Sequence, residues 1–394
     1  MPNSIQGNAV SFWAVEQSTP SAGVPATPTW SSIRRTGGDI DIQKSFTQSE
    51  MVSTSRQPGY NIITGSDVSG SIDSELSVAD PLLESFVQGA LQADSAAVVS
   101  ATGSTTFTNA TSSISQVGAF ANAVVGQFVG AFGTANNNRV FRITSVVDDD
   151  NVNVSPAPVD ETVSATLTGK SYRNSNFEKG FAIQKRIPTD SGTIYKTFEG
   201  VQINSLNVNL TTESIVTLTY DMIGLGQVSG IAQIAGSTDN AVDTSRVSGS
   251  VKDVLEFWVD GIPADMASIC YTDFSFSIEN GADGQPAIGK EGACLISFDK
   301  SNVTGSLVSY VDGTNTTTAD SEVNKRDNET LFGLGVTFKD VDGNYLVVNM
   351  PSVQYTELTR DNTGNGETLQ NNGTFGAVGT PEGYAVEFNF IAAP

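Results

Sequence analysis

The sequence predicts an all-β fold: mainly an antiparallel β-sandwich, with one flanking α-helix and a small inserted β-domain. Three observations carry this. Apolar and polar residues alternate with period two over many short runs, punctuated by Gly, Asn, Asp and Thr. A single segment, 80–90, carries a helical stripe. Residues 95–174 shift in composition toward Ala, Val, Ser, Thr and Asn and are very poor in Lys and Arg.

Taken in order, residues 1–30 hold Pro2, Pro20, Pro25 and Pro28 and read as an extended arm, ordered only if something holds it. From Ser31 the texture becomes β. The helix follows at Asp80, a good N-cap, with Pro81 where its missing N–H costs nothing. Leu82, Leu83, Phe86, Val87 and Ala90 form its apolar stripe, which should pack on the sandwich. The 95–174 segment reads as a separate small domain set into a larger one spanning 31–94 and 175–394. Within it a hairpin joins Val140–Val147 to Val152–Val154 across Asp148-Asp149-Asp150.

After Asn176 the alternation is clear. Leu206, Val208 and Leu210 share one face and Asn207 and Asn209 the other; Val216, Leu218 and Tyr220 repeat the pattern. In the last strand Tyr384, Val386, Phe388 and Phe390 alternate with Ala385, Glu387 and Asn389. Such strands set one face on a core and one toward water or another subunit. The stretch Leu334–Met350 reads as a hairpin with a two-residue Asp342-Gly343 turn, which places Phe338 opposite Val347. No short-period repeat is evident, which argues against a solenoid or propeller.

Asp and Glu number 43 against 20 Lys and Arg, a net charge of −23, and there is no histidine. So acidic a chain has no broad basic surface for nucleic acid, and His-based triads and His-ligated zinc are excluded. Cys270 and Cys294 sit in apolar surroundings and read as small core fillers rather than a disulfide. The first residues lack the basic and apolar segments of a signal peptide, and no stretch approaches the length of a membrane helix. Folding in a reducing cytoplasm is the expectation.

Motifs that resemble chemical sites fail on inspection. Gly284 to Glu291 nearly spells a P-loop, but Glu291 stands where Ser or Thr should hold Mg²⁺, and a strand follows. Gly224 to Gly230 has one residue too many for a dinucleotide fingerprint. Ser297-Phe-Asp-Lys300 lacks its partner motifs. Asp340-Val-Asp342-Gly-Asn344 begins like a calcium loop, yet Tyr345 and Pro351 occupy the positions needing Gly and Glu. Asp148-Asp149-Asp150 reads as solvated turn acids. No catalytic residue, cofactor site or metal site is assigned.

One ordered set of segments resembles a known family. It comprises Ser45 to Glu50; Ser55-Arg56-Gln-Pro-Gly; Ile63-Thr-Gly65-Ser-Asp-Val-Ser-Gly70-Ser-Ile-Asp-Ser-Glu75-Leu; and Asp80-Pro-Leu-Leu-Glu-Ser-Phe86. Tyr195 to Leu206, Ile215 to Gly224, Phe274 to Asn280, Val303 to Tyr310 and Asn344 to Pro351 continue it, as does the alternating C-terminal strand. Together they resemble the tail tube proteins, or major tail proteins, of long-tailed bacteriophages, over about two thirds of the chain. The 1–30 arm and the 95–174 insert lie outside the pattern.

The resemblance implies a structural virion protein, not an enzyme. Six copies form a homohexameric ring whose inner strands close into a β-barrel. Rings stack into a tube around a tape measure protein, capped by distal tail and tail terminator proteins. Double-stranded DNA later passes down the bore, and no membrane is contacted. Assembly is expected in the bacterial host cytoplasm and residence in the phage tail. The loop 43–63, with Glu50 and Arg56, matches the family segment that reaches the neighbouring ring. The alternatives are a surface-exposed β-sandwich adhesin or carbohydrate-binding protein and, third, an enzyme using an unrecognised carboxylate pair.

Overall fold

The structure is a computed structural model that describes residues 7–50, 60–94, 96–228, 232–259, 262–263, 270–311, 321–361 and 368–394. The chain opens with β1 (Ser11–Gln17), β2 (Thr29–Ser32), β3 (Gly37–Gln48), β4 (Asn61–Glu75) and helix α1 (Leu83–Leu91). Next come β5 (Ala97–Thr108), β6 (Ser113–Ser115), β7 (Phe128–Phe132), β8 (Val140–Asp148), β9 (Asn151–Ser155) and β10 (Glu161–Arg173). The middle holds β11 (Gly180–Thr189), β12 (Gly192–Thr211), β13 (Thr217–Gly224), β14 (Gly226–Val228) and β15 (Thr238–Asp239). Then follow β16 (Val254–Val259), β17 (Ile262–Pro263), β18 (Tyr271–Glu279), β19 (Asp283–Pro286), β20 (Ala293–Ser297) and β21 (Asn302–Tyr310). Helix α2 (Ser321–Asp327), β22 (Phe332–Lys339), β23 (Tyr345–Asp361), β24 (Gln370–Ala377) and β25 (Glu387–Ile391) complete it.

The principal sheet runs β3–β4–β13–β12–β18–β21–β24–β23, each neighbour antiparallel. Against it lie β2–β1–β11 with the first half of β12, and β16–β22 with the first half of β23. The long strands β12 and β23 therefore serve both layers. In β12 the change of layer falls near Gly200, whose φ of +61° is costly for any residue with a Cβ. Apolar residues of both layers, among them Phe12, Ile40, Ile72, Phe198, Leu206 and Phe375, fill one continuous core. The alternation of 206–210 and 216–220 appears as read, with Leu206, Val208, Val216, Leu218 and Tyr220 buried.

Helix α1 starts at Leu83, later than Asp80 suggests. Asp80 still caps the entry: its Oδ1 accepts the Leu82 N–H at 2.9 Å and its carbonyl accepts the Leu83 N–H at 3.1 Å. Leu82, Leu83 and Phe86 are buried in the core, and the Phe86 ring meets Phe181 edge-on at 5.1 Å and Tyr220 at 5.2 Å.

Strands β5 to β10 close on themselves in the order β5–β10–β7–β8–β9–β6–β5, a six-stranded barrel. Its filling, with Phe107, Phe120, Phe141, Ile143 and Leu167, is a cluster separate from the main core. The expected Asp148–Asp150 turn joins β8 to β9.

Four readings are corrected. β structure begins at Ser11, not Ser31: β1 pairs along its length with β11 and buries Phe12 and Ala14, so this part of the arm is held. The contiguous run Phe12-Trp13-Ala14-Val15 hides the alternation. The 334–350 hairpin is slipped by one residue, with Phe338 opposite Leu346 and Thr337 opposite Val347. Asp340 explains this: its Oδ1 accepts the N–H groups of Asp342 and Asn344 at 2.9 and 2.8 Å, organising a wider loop than a two-residue turn. Cys270 and Cys294 are free and exposed rather than core fillers. Cys294 lies on the short β19–β20 ribbon and Cys270 just ahead of β18, where neither is covered. Finally, the polar face of β25 does not meet water. Glu387 and Asn389 are both 0% exposed, because β10 of the barrel pairs with β25. Arg173 Nε donates to Glu387 Oε1 at 2.9 Å, and Asn389 Oδ1 accepts the Phe128 N–H at 3.0 Å.

Candidate assembly surface

Of the segment 43–63, residues 43–48 and 61–63 are strand rather than loop and form the outer part of the β3–β4 ribbon, while 51–59 lie outside the described residues. From Gln43 to Gln48 and from Asn61 to Thr64 nearly every residue is exposed on both faces. At the strand rise of ~3.4 Å per residue the ribbon extends by roughly 20 Å. Phe46 is 60% and Ile63 45% exposed, and they stand opposite each other. Ile62 (50%) turns to the other face, and Tyr60 (74%) lies just ahead of β4. An isolated two-stranded ribbon is marginal in water, and uncovered apolar side chains on both faces mark a contact surface. Glu50 lies exposed at the end of β3; Arg56 lies outside the described residues. The four apolar residues escaped the sequence reading because Asn61-Ile62-Ile63-Thr64 looks like any strand and does not say whether its faces are covered.

Charges fix the base of the ribbon. Lys185 Nζ lies 2.6 Å from Asp39 Oδ1 and 3.1 Å from Asp41 Oδ2, and Lys196 Nζ lies 3.1 Å from Asp41 Oδ2. Burial pushes the Asp41 carboxyl up, but the Ile42 N–H and the Lys196 and Lys185 ammoniums outweigh it. The group titrates below its ordinary 3.8. Farther out, Lys44 pairs with Glu291 at 2.6 Å, an exposed contact of small energetic weight.

The face of the principal sheet turned away from the core is polar and carries one sign of charge. One row of directly paired residues runs Glu75–Thr217–Asn209–Ser275–Ser306–Thr374–Glu357, and the next Asp73–Thr219–Asn207–Ser277–Thr304. Asp221, Asp273 and Glu279 share this face; Asp221 accepts from Ser205 Oγ at 2.6 Å and Asp273 from Thr211 Oγ1 at 2.8 Å. Between β4 and β24 the pairing rows place no lysine or arginine on it. Such a face is wettable, binds no phosphate through ion pairs, and repels polyanions within the ~8 Å screening length of physiological salt.

The rejected motifs remain structural. Gly284 and Gln285 lie in β19, and the residues after Glu291 form β20. Asp148 Oδ1 accepts the Asp150 N–H and the Asn151 amide at 2.9 and 2.7 Å, closing the β8–β9 turn. Among the described residues no group of three or more metal-ligating side chains converges, and no helix is long and apolar enough to cross a membrane.

Fold and surface together define an all-β structural subunit, with an uncovered ribbon and a broad polar sheet face. Comparison then gives the family: the chain belongs to the phage tail tube proteins, whose family model, "Phage tail tube protein", matches residues 7–392. No curated protein matches the chain. Membership makes it a structural component of the virion that assembles with itself and other tail proteins into a tube.

Proposed function

We propose that copies of this chain close edge to edge into rings, for which the family resemblance implies six copies. In this reading the rings stack into the conduit through which the genome leaves the phage. The acid-only outer face of the principal sheet carries the proposal: it is what a bore needs in order to pass DNA without holding it. The tape measure protein occupies that bore during assembly in the host cytoplasm, and distal tail and terminator proteins bound the stack. The barrel of 95–174 acts as an added domain on the tube body, and no step of this function is catalytic.

The β3–β4 ribbon reaches the next ring, with Phe46, Tyr60, Ile62 and Ile63 covered there and Glu50 and Arg56 making ionic contacts. Substituting Arg56→Glu should lower tube yield at least tenfold while the subunit's thermal unfolding is unchanged. Electron microscopy of purified protein checks this, and unaltered tube yield refutes the contact.

A further inference from the structure

The principal sheet contains one pattern twice. β3, β4, β11, β12 and β13 are matched in chain order by β18, β21, β22, β23 and β24. The first set pairs β3–β4–β13–β12 with β11 on the first half of β12; the second pairs β18–β21–β24–β23 with β22 on the first half of β23. β1 lies on β11 as β16 lies on β22. Helix α1 follows β4 as α2 follows β21.

The match holds residue by residue. Ile40 pairs with Gly70, Gly70 with Met222, and Met222 with Ile203. Phe276, Gly305, Phe375 and Tyr355 make the same chain of pairs. A β-bulge between Ile203 and Ser205 is repeated between Tyr355 and Glu357, and one between Phe181 and Ile183 is repeated between Phe332 and Leu334. Bulges add an unpaired residue at a defined place, so two shared bulges mark a shared design. Phe12-Trp13 and Phe257-Trp258 occupy the same register on β11 and β22. Val68-Ser-Gly-Ser-Ile72 and Val303-Thr-Gly-Ser-Leu307 are the same run. A Cβ on Gly70 would lie 2.0 Å from the Asp39 carbonyl oxygen, and one on Gly305 2.4 Å from that of Ser275, the matching residue.

The two units meet inside the chain through β12 and β18, with Ser205 opposite Glu279, Leu206 opposite Ile278 and Asn207 opposite Ser277. Carried over to the matching residues, the same junction sets Glu357 opposite Gln43, Leu358 opposite Ile42 and Thr359 opposite Asp41. Both of those edges are open: among the described residues β3 pairs only with β4, and the second half of β23 only with β24. In the single chain the Leu358 carbonyl accepts from Arg326 Nη1 at 2.7 Å, a contact the junction must share or displace.

We propose that this chain is two tube units in tandem, and that three chains, not six, close each ring by pairing β3 of one copy with the second half of β23 of the next. The proposal rests on the tail tube reading above. Six single-unit subunits of four strands would close 24 strands, and three of these eight-stranded chains close the same number. At ~4.8 Å between strands that is a barrel of about 115 Å circumference before tilt.

The test uses the full chain with Cys270→Ser and Cys294→Ser, carrying Gln43→Cys and Glu357→Cys. Tubes are oxidised, dissolved in denaturant and sized without reductant. The expected ladder stops at three covalently closed chains, three times 41.3 kDa. Image averaging of unmodified tubes should show three inserted barrels around each ring. A ladder reaching six chains, or six barrels per ring, overturns the count alone. Tubes that form yet do not cross-link overturn the edge pairing. Absence of any ring or tube overturns the tail tube reading and this proposal with it.

Discussion

The two tandem units keep the same pairs and bulges but differ in what joins their strands. In the first, the connection from α1 to β11 runs through residues 92–179 and holds the whole barrel; in the second, α2 reaches β22 across residues 328–331. The first links β3 to β4 across residues 49–60, while the second passes from β18 to β21 through the small β19–β20 ribbon. Strand pairing and the buried face are therefore the constrained part of a unit, because slipping one strand by a residue would turn its apolar set to water. Connectors on the surface carry no such constraint. Fusing two units in one chain lets the connectors diverge independently, so a barrel can decorate every second unit of a ring.

Three measurements break or sharpen this comparison. The largest effect is expected at the helices. Phe86 fills the core with two edge-on ring contacts, whereas Val323 of α2 is only partly buried. Phe86→Ala should cost about 4 kcal/mol in denaturant unfolding, and Val323→Ala less than half of that; equal losses would mean that the helices are equivalent anchors. Next come the matched glycines. Gly70→Ala and Gly305→Ala each force a Cβ against a neighbouring carbonyl and should each cost about 3 kcal/mol. A harmless change at either site breaks the equivalence of the units.

The smallest effect is expected from acid. Asp41 has a folded-state pKa below 3.8, so its pairing with Lys185 and Lys196 stabilises the fold fully above that value. The contribution is lost as pH falls through the lower, folded-state value. Asp41→Asn should flatten this acid limb of the stability profile. The matching Ser277 carries no charge, so Ser277→Ala should leave the limb intact.

Much of the fold was legible because period-two alternation survives wherever one face meets a core and the other does not, as at 206–210. It failed where both faces are covered. Glu387 and Asn389 read as outward-facing because nothing local reveals that the inserted barrel packs against them. The Leu334–Met350 hairpin was found, but its register was decided by the Asp340 side chain rather than by the Asp-Gly pair. The tandem repeat was hidden by its own insertion: Val68 and Val303 are 303 − 68 = 235 residues apart, Phe181 and Phe332 only 332 − 181 = 151. A search at fixed period cannot register both. On the candidate assembly surface, Glu50 drew notice only as a charge in a weakly charged chain. The uncovered Phe46 and Ile63, and the acid-only rows, became visible only once strand partners were known.

The β12–β18 pairing also bears on fidelity. Where sheets arrive already coupled two by two, a closing circle can miscount only by a whole chain. Rings one sheet too small or too large are then forbidden by covalent connectivity, and accuracy of bore width becomes a property of the polypeptide rather than of the assembly pathway.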